Sequence, residues 1–167
     1  MNRHEAALKK LAAGTVIPAN PLALNSHRKF DERRQRALVR YYLAAGAGGL
    51  AVGVHTTQFA IRDPKFNLFE TVLKVAAEEA RAYEKSSGNT VVMIAGACGP
   101  VEQAVREAEL ARELGYDAVL LSPGGLNHLT EDQLIERTKE VAKVIPVVGF
   151  YLQPAAGGRL FTFDYWR

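Results

Sequence analysis

The chain has 167 residues, of which 48% are hydrophobic and 23% charged, the balance of a globular domain. No stretch has the roughly 18 consecutive apolar residues that a membrane span needs, and the single cysteine excludes an internal disulfide. A complete eight-stranded (β/α) barrel is also excluded, because it usually needs about 250 residues.

The formal net charge of +3 is unevenly distributed along the chain. Residues 1–40 carry nine basic and three acidic side chains, whereas residues 41–167 carry 12 basic and 15 acidic side chains. Such a basic segment indicates either nucleic-acid binding or a solvated helix face with Asp31 and Glu32 near its start. We favour the helix face and expect neither a nucleic-acid nor a membrane partner. Because the N-terminus has no apolar signal region, we expect a cytoplasmic protein.

Four helices are predicted from apolar periodicity and from residues that begin or end helices. Each is followed by glycine or proline, and two begin with capping patterns, Asn67-x-x-Glu70 and Thr130-x-x-Gln133. A weaker helix precedes Gly14. The four predicted ranges are residues 31–45, 67–88, 100–115 and 130–145.

Five short apolar runs separate these helices and predict β-strands. They do not alternate between polar and apolar residues, so both of their faces are expected to be covered, as in parallel strands flanked by helices. The alternating order predicts either an open doubly wound sheet or a stretch of a barrel. The predicted strands are residues 15–17, 49–54, 90–95, 118–121 and 147–151.

Polar and small residues follow each predicted strand, at the end where such folds carry their reactive groups. Gly-x-Gly-x-x-Gly and Gly-Lys-Ser/Thr patterns are absent from these loops, which argues against nucleotide binding. Cys98 is interpreted as a small buried side chain rather than a nucleophile, because no base is identifiable beside it. The histidines lack metal-ligand spacing, so we expect no metal and no cofactor. The loops are residues 18–21, 55–58, 96–99, 122–125 and 151–154.

Several of these segments, in order, resemble the dihydrodipicolinate synthase and N-acetylneuraminate lyase family of pyruvate-dependent aldolases. The resemblance implies an α/β fold that is the N-terminal part of a TIM (β/α)₈ barrel, with about five βα units and parallel strands. It places one partial barrel domain over residues 1–167, ending before the sixth strand. The matching segments are residues 17–19, 30–32, 45–57, 92–96, 114–123 and 145–154, the last with Tyr151-x-x-Pro154.

The resemblance also implies a chemistry, in which a lysine forms a Schiff base with pyruvate before aldol addition or cleavage. Thr56 and Thr57 would hold the carboxylate of pyruvate or a similar keto acid. From its own position at the strand end, His55 is a further candidate for contacting the substrate. Tyr151 would relay protons with the help of Thr57, and Arg159 would meet a second carboxylate at the mouth. Family members usually form homotetramers, which we expect here too.

Three departures from the family pattern leave an alternative open. His55 and Gln58 flank the threonine pair where the family usually reads Gly-Thr-Thr-Gly-Glu, and Gly124-Gly125 stands where many members carry an aromatic pair. The Schiff-base lysine ends the family's sixth strand, and every lysine here falls on a predicted helix or a polar segment. We therefore expect this chain alone to be inactive and to be part of a longer protein or a half-barrel that pairs. The alternative function is a non-catalytic carboxylate-binding or regulatory barrel.

Overall fold

The computed structural model describes residues 2–167, with only the backbone of Ala156. Four parallel strands lie in the order β1-β2-β3-β4, each followed by a helical segment, as expected for part of a barrel. The strands are β1 Gly49–Val52, β2 Val92–Ala97, β3 Ala118–Leu121 and β4 Val147–Gly149. The helices are α1 Arg3–Ala13, α2 Glu32–Ala44, α3 Phe69–Ser87, α4 Val101–Glu113, α5 Glu131–Ala142 and α6 Phe163–Trp166.

The first predicted strand, residues 15–17, does not form, and the residues that follow it make an isolated β-bridge between Ala19 and Ala51. Backbone hydrogen bonds still hold this segment beside β1, from Ala51 N to Pro18 O (3.0 Å) and from Asn20 N to Ala51 O (2.8 Å). Pro18 has no N–H, so it cannot donate the next bond of a regular ladder. Five extended segments therefore lie side by side, although only four are strands.

The sheet separates two apolar layers, as its continuous apolar runs predict. On one face, helices α2 to α5 cover a large core that includes Leu43, Leu73, Met93 and Val141. The opposite face is the barrel interior, where the alanines Ala51, Ala118 and Ala19 lie with the larger Ile94 and Leu120. Among residues 2–167, every helix is too short or too polar to cross a membrane.

One of the two predicted capping patterns forms and the other does not. Thr130 and Gln133 make both bonds of a capping box at the start of α5. Asn67 instead has a φ of +48° and donates its N–H to Asp63 O (2.9 Å), so α3 begins after Leu68 with no side-chain cap. The preceding turn takes Asn67 because asparagine tolerates the left-handed region better than most residues. The capping prediction at Asn67 is wrong.

The basic cluster near the N-terminus forms ion pairs between α2 and α3. Arg36 contacts Glu32, Glu78 and Glu79, and Arg40 contacts Glu79. Hydrogen bonds to Glu78, Glu32 and Glu79 raise the pKa of Arg36 above its ordinary value. The helix-face interpretation therefore accounts for these two arginines.

A buried carboxylate fastens α1 to the amino-terminal end of the sheet. Asp117, which precedes β3, accepts hydrogen bonds from Arg3 Nη1 (2.7 Å), Arg3 Nη2 (2.9 Å) and Met93 N (2.9 Å). His4 Nδ1 lies 3.1 Å from the same group. Arg3 also reaches Val91 O (2.9 Å), so α1 is fixed at the end opposite the polar loops.

Candidate functional site

A cavity of about 350 Å³ opens at the carboxyl ends of the strands, where the sequence places the polar loops. Its floor is the apolar interior of the barrel, including Ala19, Ala51 and Leu120. Its polar wall is formed by His55 and Thr56 after β1 and by Ser122 after β3. Phe59 and Phe150 add aromatic surface. The cavity thus joins polar hydrogen-bonding groups to an apolar floor, an arrangement typical of small-molecule sites.

Two glycines bring the ends of β1 and β2 close together beside this cavity. A Cβ atom on Gly96 would lie 2.3 Å from Gly53 O, a distance that real Cβ atoms do not tolerate. Gly53 itself has a φ of +74°, in the region that favours glycine. Gly96 also lines the cavity, so the same close approach shapes its wall.

The threonine pair divides between the cavity and the protein interior. Thr56 is exposed and lines the cavity, whereas Thr57 is fully buried. The Thr57 hydroxyl donates to Asn20 O (2.6 Å) and accepts from Gly53 N (3.1 Å). The Thr57 N–H donates to Val54 O (3.0 Å). Thr57 therefore ties the first extended segment to the end of β1, and its hydroxyl is engaged away from the cavity wall.

Tyr151 and Arg159, which the resemblance assigns to the site, lie outside the cavity lining. Tyr151 is 49% exposed and directly follows Phe150, which does line it. Arg159 donates to Leu129 O (2.7 Å) and lies over the ring of Phe161, 4.9 Å from its centroid. The structure thus brings His55 and Thr56 together, while Tyr151 and Arg159 remain predictions for the site.

A buried ion pair that the sequence analysis missed supports the loops from behind. Arg62 donates to Glu107 Oε1 (2.8 Å), to Gly53 O (3.0 Å) and to Gly96 O (3.0 Å). Its guanidinium also lies 4.2 Å from the centroid of the Phe69 ring. Glu107 in turn accepts from the N–H of Cys98 (3.1 Å) and from Gln103 Nε2 (2.8 Å).

A second buried arginine joins the loops that follow β2 and β3. Arg137 is 4% exposed and donates from Nε to Gly99 O (2.8 Å) and from Nη2 to Ser122 O (3.1 Å). Burial lowers the pKa of Arg137 below its ordinary value. The sequence carries a signal for both features, because Glu107 and Arg137 occupy positions on the apolar faces of α4 and α5.

Cys98 lies between these two arginines and is half-buried. Burial raises the pKa of its thiol, and Arg62 opposes that shift only in part. The thiol is therefore protonated at neutral pH, as expected for a structural side chain. Within residues 2–167, His, Cys, Asp and Glu side chains form no group of three or more that could hold a metal ion.

Comparison with known proteins supports the resemblance seen in the sequence. The "Probable 5-dehydro-4-deoxyglucarate dehydratase 2" of Streptomyces coelicolor is 31% identical over 135 residues, which are 81% of this chain and 39% of that protein. N-acetylneuraminate lyase from Mycoplasma synoviae matches structurally with a TM-score of 0.73 at 20% identity, over 94% of this chain and 52% of that one. No protein-family profile matches the sequence.

A third match is YagE from E. coli K12, a prophage protein of the dihydrodipicolinic acid synthase family whose structure was determined in complex with pyruvate. It has a TM-score of 0.67 at 20% identity and covers 86% of this chain and 46% of that one. The chain thus spans about half the length of these solved structures and between 24% and 39% of its curated relatives. The predicted fold, part of a (β/α) barrel, and the resemblance to this family are confirmed.

Proposed function

We propose that this chain, with its resemblance to the dihydrodipicolinate synthase and N-acetylneuraminate lyase family, binds a small 2-keto acid in the cavity at its strand ends. In the complete protein, this site would serve a lyase that forms a Schiff base with pyruvate or a related acid. The observation that carries the proposal is the wall of His55, Thr56 and Ser122 above an apolar floor. The pyruvate complex of YagE supports the class of ligand.

Each part of the cavity has a role in this proposal. The hydroxyls of Thr56 and Ser122 donate to carboxylate or keto oxygens, and hydroxyl donors bind anions without adding charge of their own. The ring of His55 adds a further donor or acceptor, and the floor receives the methyl group of pyruvate. Thr57 positions the loop through its bonds to Asn20 and Gly53.

Of the remaining predicted residues, Tyr151 has a role in the reaction and Arg159 has a role in binding. Tyr151 follows Phe150 on the loop after β4, and we assign it the proton relay beside the keto group. Thr57, the expected partner in this relay, has its hydroxyl engaged with Asn20 O and Gly53 N, so its role in this proposal is to support the loop. Arg159 is assigned a second carboxylate at the mouth. For the complete protein we propose one barrel domain, a homotetramer and a cytoplasmic location, as the resemblance implies.

A titration of the ¹⁵N-labelled chain with pyruvate tests the binding site. We expect amide shifts that saturate at residues 55–57, 96 and 122. Removing one hydroxyl with Thr56→Val is expected to weaken the affinity about tenfold, because a hydrogen bond to the carboxylate is lost. The matched control is Thr90→Val, just before β2 at the opposite end of the sheet, which should leave the affinity unchanged. Shifts elsewhere, or equal affinity of Thr56→Val and the native chain, would contradict the proposed site.

The nucleophile is expected to come from outside the described residues. None of the lysines among residues 2–167 lines the cavity, and a nucleophilic lysine needs a desolvated or cationic setting next to its substrate. Treating the chain with pyruvate and borohydride should therefore give no covalent adduct by intact mass spectrometry. An adduct on any lysine would overturn this expectation.

A second candidate is a non-catalytic protein that binds the same carboxylate for regulation. The observation that favours it is the engaged hydroxyl of Thr57, together with Gly124-Gly125 at the position of the family's aromatic pair. Both functions predict pyruvate binding by this chain. They differ in the complete gene product, because only the lyase requires a lysine at the end of a sixth strand.

A further inference from the structure

Two buried arginines lie directly behind the peptide groups that wall the cavity. Arg62 donates to Gly96 O (3.0 Å), and Arg137 donates to Ser122 O (3.1 Å). Gly96 and Ser122 both line the cavity. Each guanidinium is therefore one peptide group away from the cavity, although neither arginine lines the cavity itself.

The two arginines differ in how their charges are balanced. Arg62 forms an ion pair with Glu107, whose side chain is also buried, so the two charges cancel. Among residues 2–167, no carboxylate lies within ion-pair distance of Arg137, whose two protein partners are carbonyl oxygens. Nearby acids of α5 are already paired with lysines one turn away: Glu136 with Lys139 and Glu140 with Lys143.

The neighbouring acidic groups that could compensate this charge are neutral near pH 7. Burial raises the pKa of the Cys98 thiol and that of the Tyr165 phenol. The cluster of Arg62, Glu107, Cys98 and Arg137 therefore carries one net positive charge behind the cavity. A buried charge is screened only weakly by salt, so its field extends to nearby sites.

We propose that Arg137 is the specificity-determining charge of this cavity and makes it select anionic over neutral small keto compounds. The inference rests on the proposed function, because it assigns a further residue to the same site. Arg137 contributes no hydrogen bond to the ligand. It acts through the peptide of Ser122, by supplying a positive potential to the wall formed by His55, Thr56 and Ser122.

The preference for an anion can be measured by titrating pyruvate and its neutral analogue pyruvamide, each observed by NMR. The native chain is expected to bind pyruvate more tightly. Arg137→Met should weaken pyruvate binding about tenfold and leave pyruvamide binding unchanged, because only the charged ligand interacts with the lost potential. Arg137→Lys, which keeps the charge, should retain the preference. A purely structural role would weaken both ligands equally and would overturn the inference.

A second pair of variants neutralises the charge while keeping Arg137. Cys98→Asp places a carboxylate between the two arginines and should reduce the preference for pyruvate, whereas Cys98→Ser should not. If Arg137→Met fails to fold, the two Cys98 variants test whether the charge of Arg137 causes the preference for pyruvate. An unchanged preference in Cys98→Asp contradicts the role of Arg137. Failure of the native chain to bind pyruvate at all contradicts the proposed function instead, so the two failures are distinguishable.

Discussion

Arg62→Met is expected to lower the free energy of unfolding by about 3–5 kcal/mol, because it leaves the carboxylate of Glu107 buried without its partner. The change also removes the donors that reach Gly53 O and Gly96 O at the ends of two adjacent strands. Urea unfolding followed by circular dichroism measures the loss. The stacking of the guanidinium on Phe69 is partly replaced by the methionine side chain, so charge rather than volume dominates the effect.

The double variant Arg62→Met/Glu107→Met separates the stranded charge from the lost contacts. Replacing both members of a buried ion pair by apolar residues is often close to neutral, so the double variant should recover most of the loss. A single-variant loss below about 1 kcal/mol would mean that the pair behaves like an exposed one. That result would contradict the conclusion that the Arg62–Glu107 ion pair is buried and supports the loops of the cavity.

The second large effect is expected at the opposite end of the sheet. Asp117→Ala should destabilise the fold by about 3 kcal/mol, because it strands the buried N–H of Met93 and removes the bidentate contact with Arg3. Asp117→Asn retains an acceptor for Met93 and should lose less. Both losses are read from urea unfolding curves.

The matched control for Asp117 is Asp164→Ala in α6, at an 81% exposed carboxylate that contacts Arg167. Exposed ion pairs contribute little, so this control should leave the unfolding curve unchanged. Because Asp117 lies at the amino-terminal end of the strands, the folded fraction of Asp117→Asn should still bind pyruvate with native affinity. If folded Asp117→Asn binds pyruvate more weakly than the native chain, the amino-terminal end of the sheet affects the cavity, and the expectation that the two ends act independently is wrong.

The alternation of strands and helices was predictable because both signals are local. Runs such as residues 118–121 are apolar on both faces, and glycines such as Gly88 and Gly115 follow the helices that they end. A regular first strand was predicted over residues 15–17. Because Pro18 has no N–H to donate, this part of the chain pairs with β1 through an isolated bridge instead. Asn67 shows the limit of short motifs, because the turn before α3 determines its conformation more strongly than the capping pattern does.

The site was predictable at the level of loops but not of side chains. Chain order alone places residues 55–58 and 122–125 at one end of a parallel sheet, and His55, Thr56 and Ser122 do meet there. The direction of each side chain depends on tertiary contacts, so Thr57 could not be distinguished from Thr56. The buried charges of Glu107 and Arg137 were foreseeable as interruptions of apolar helix faces, but their partners come from residues distant in sequence.

The close approach of Gly53 and Gly96 limits how the shape of this cavity can change during evolution. Any larger residue at position 96 collides with the neighbouring backbone, so this wall cannot be remodelled by gradual substitution. Variation is tolerated more readily at the accessible rings of His55 and Phe59, which face solvent as well as the cavity. Relatives with a differently shaped cavity should therefore differ at these rings while retaining both glycines.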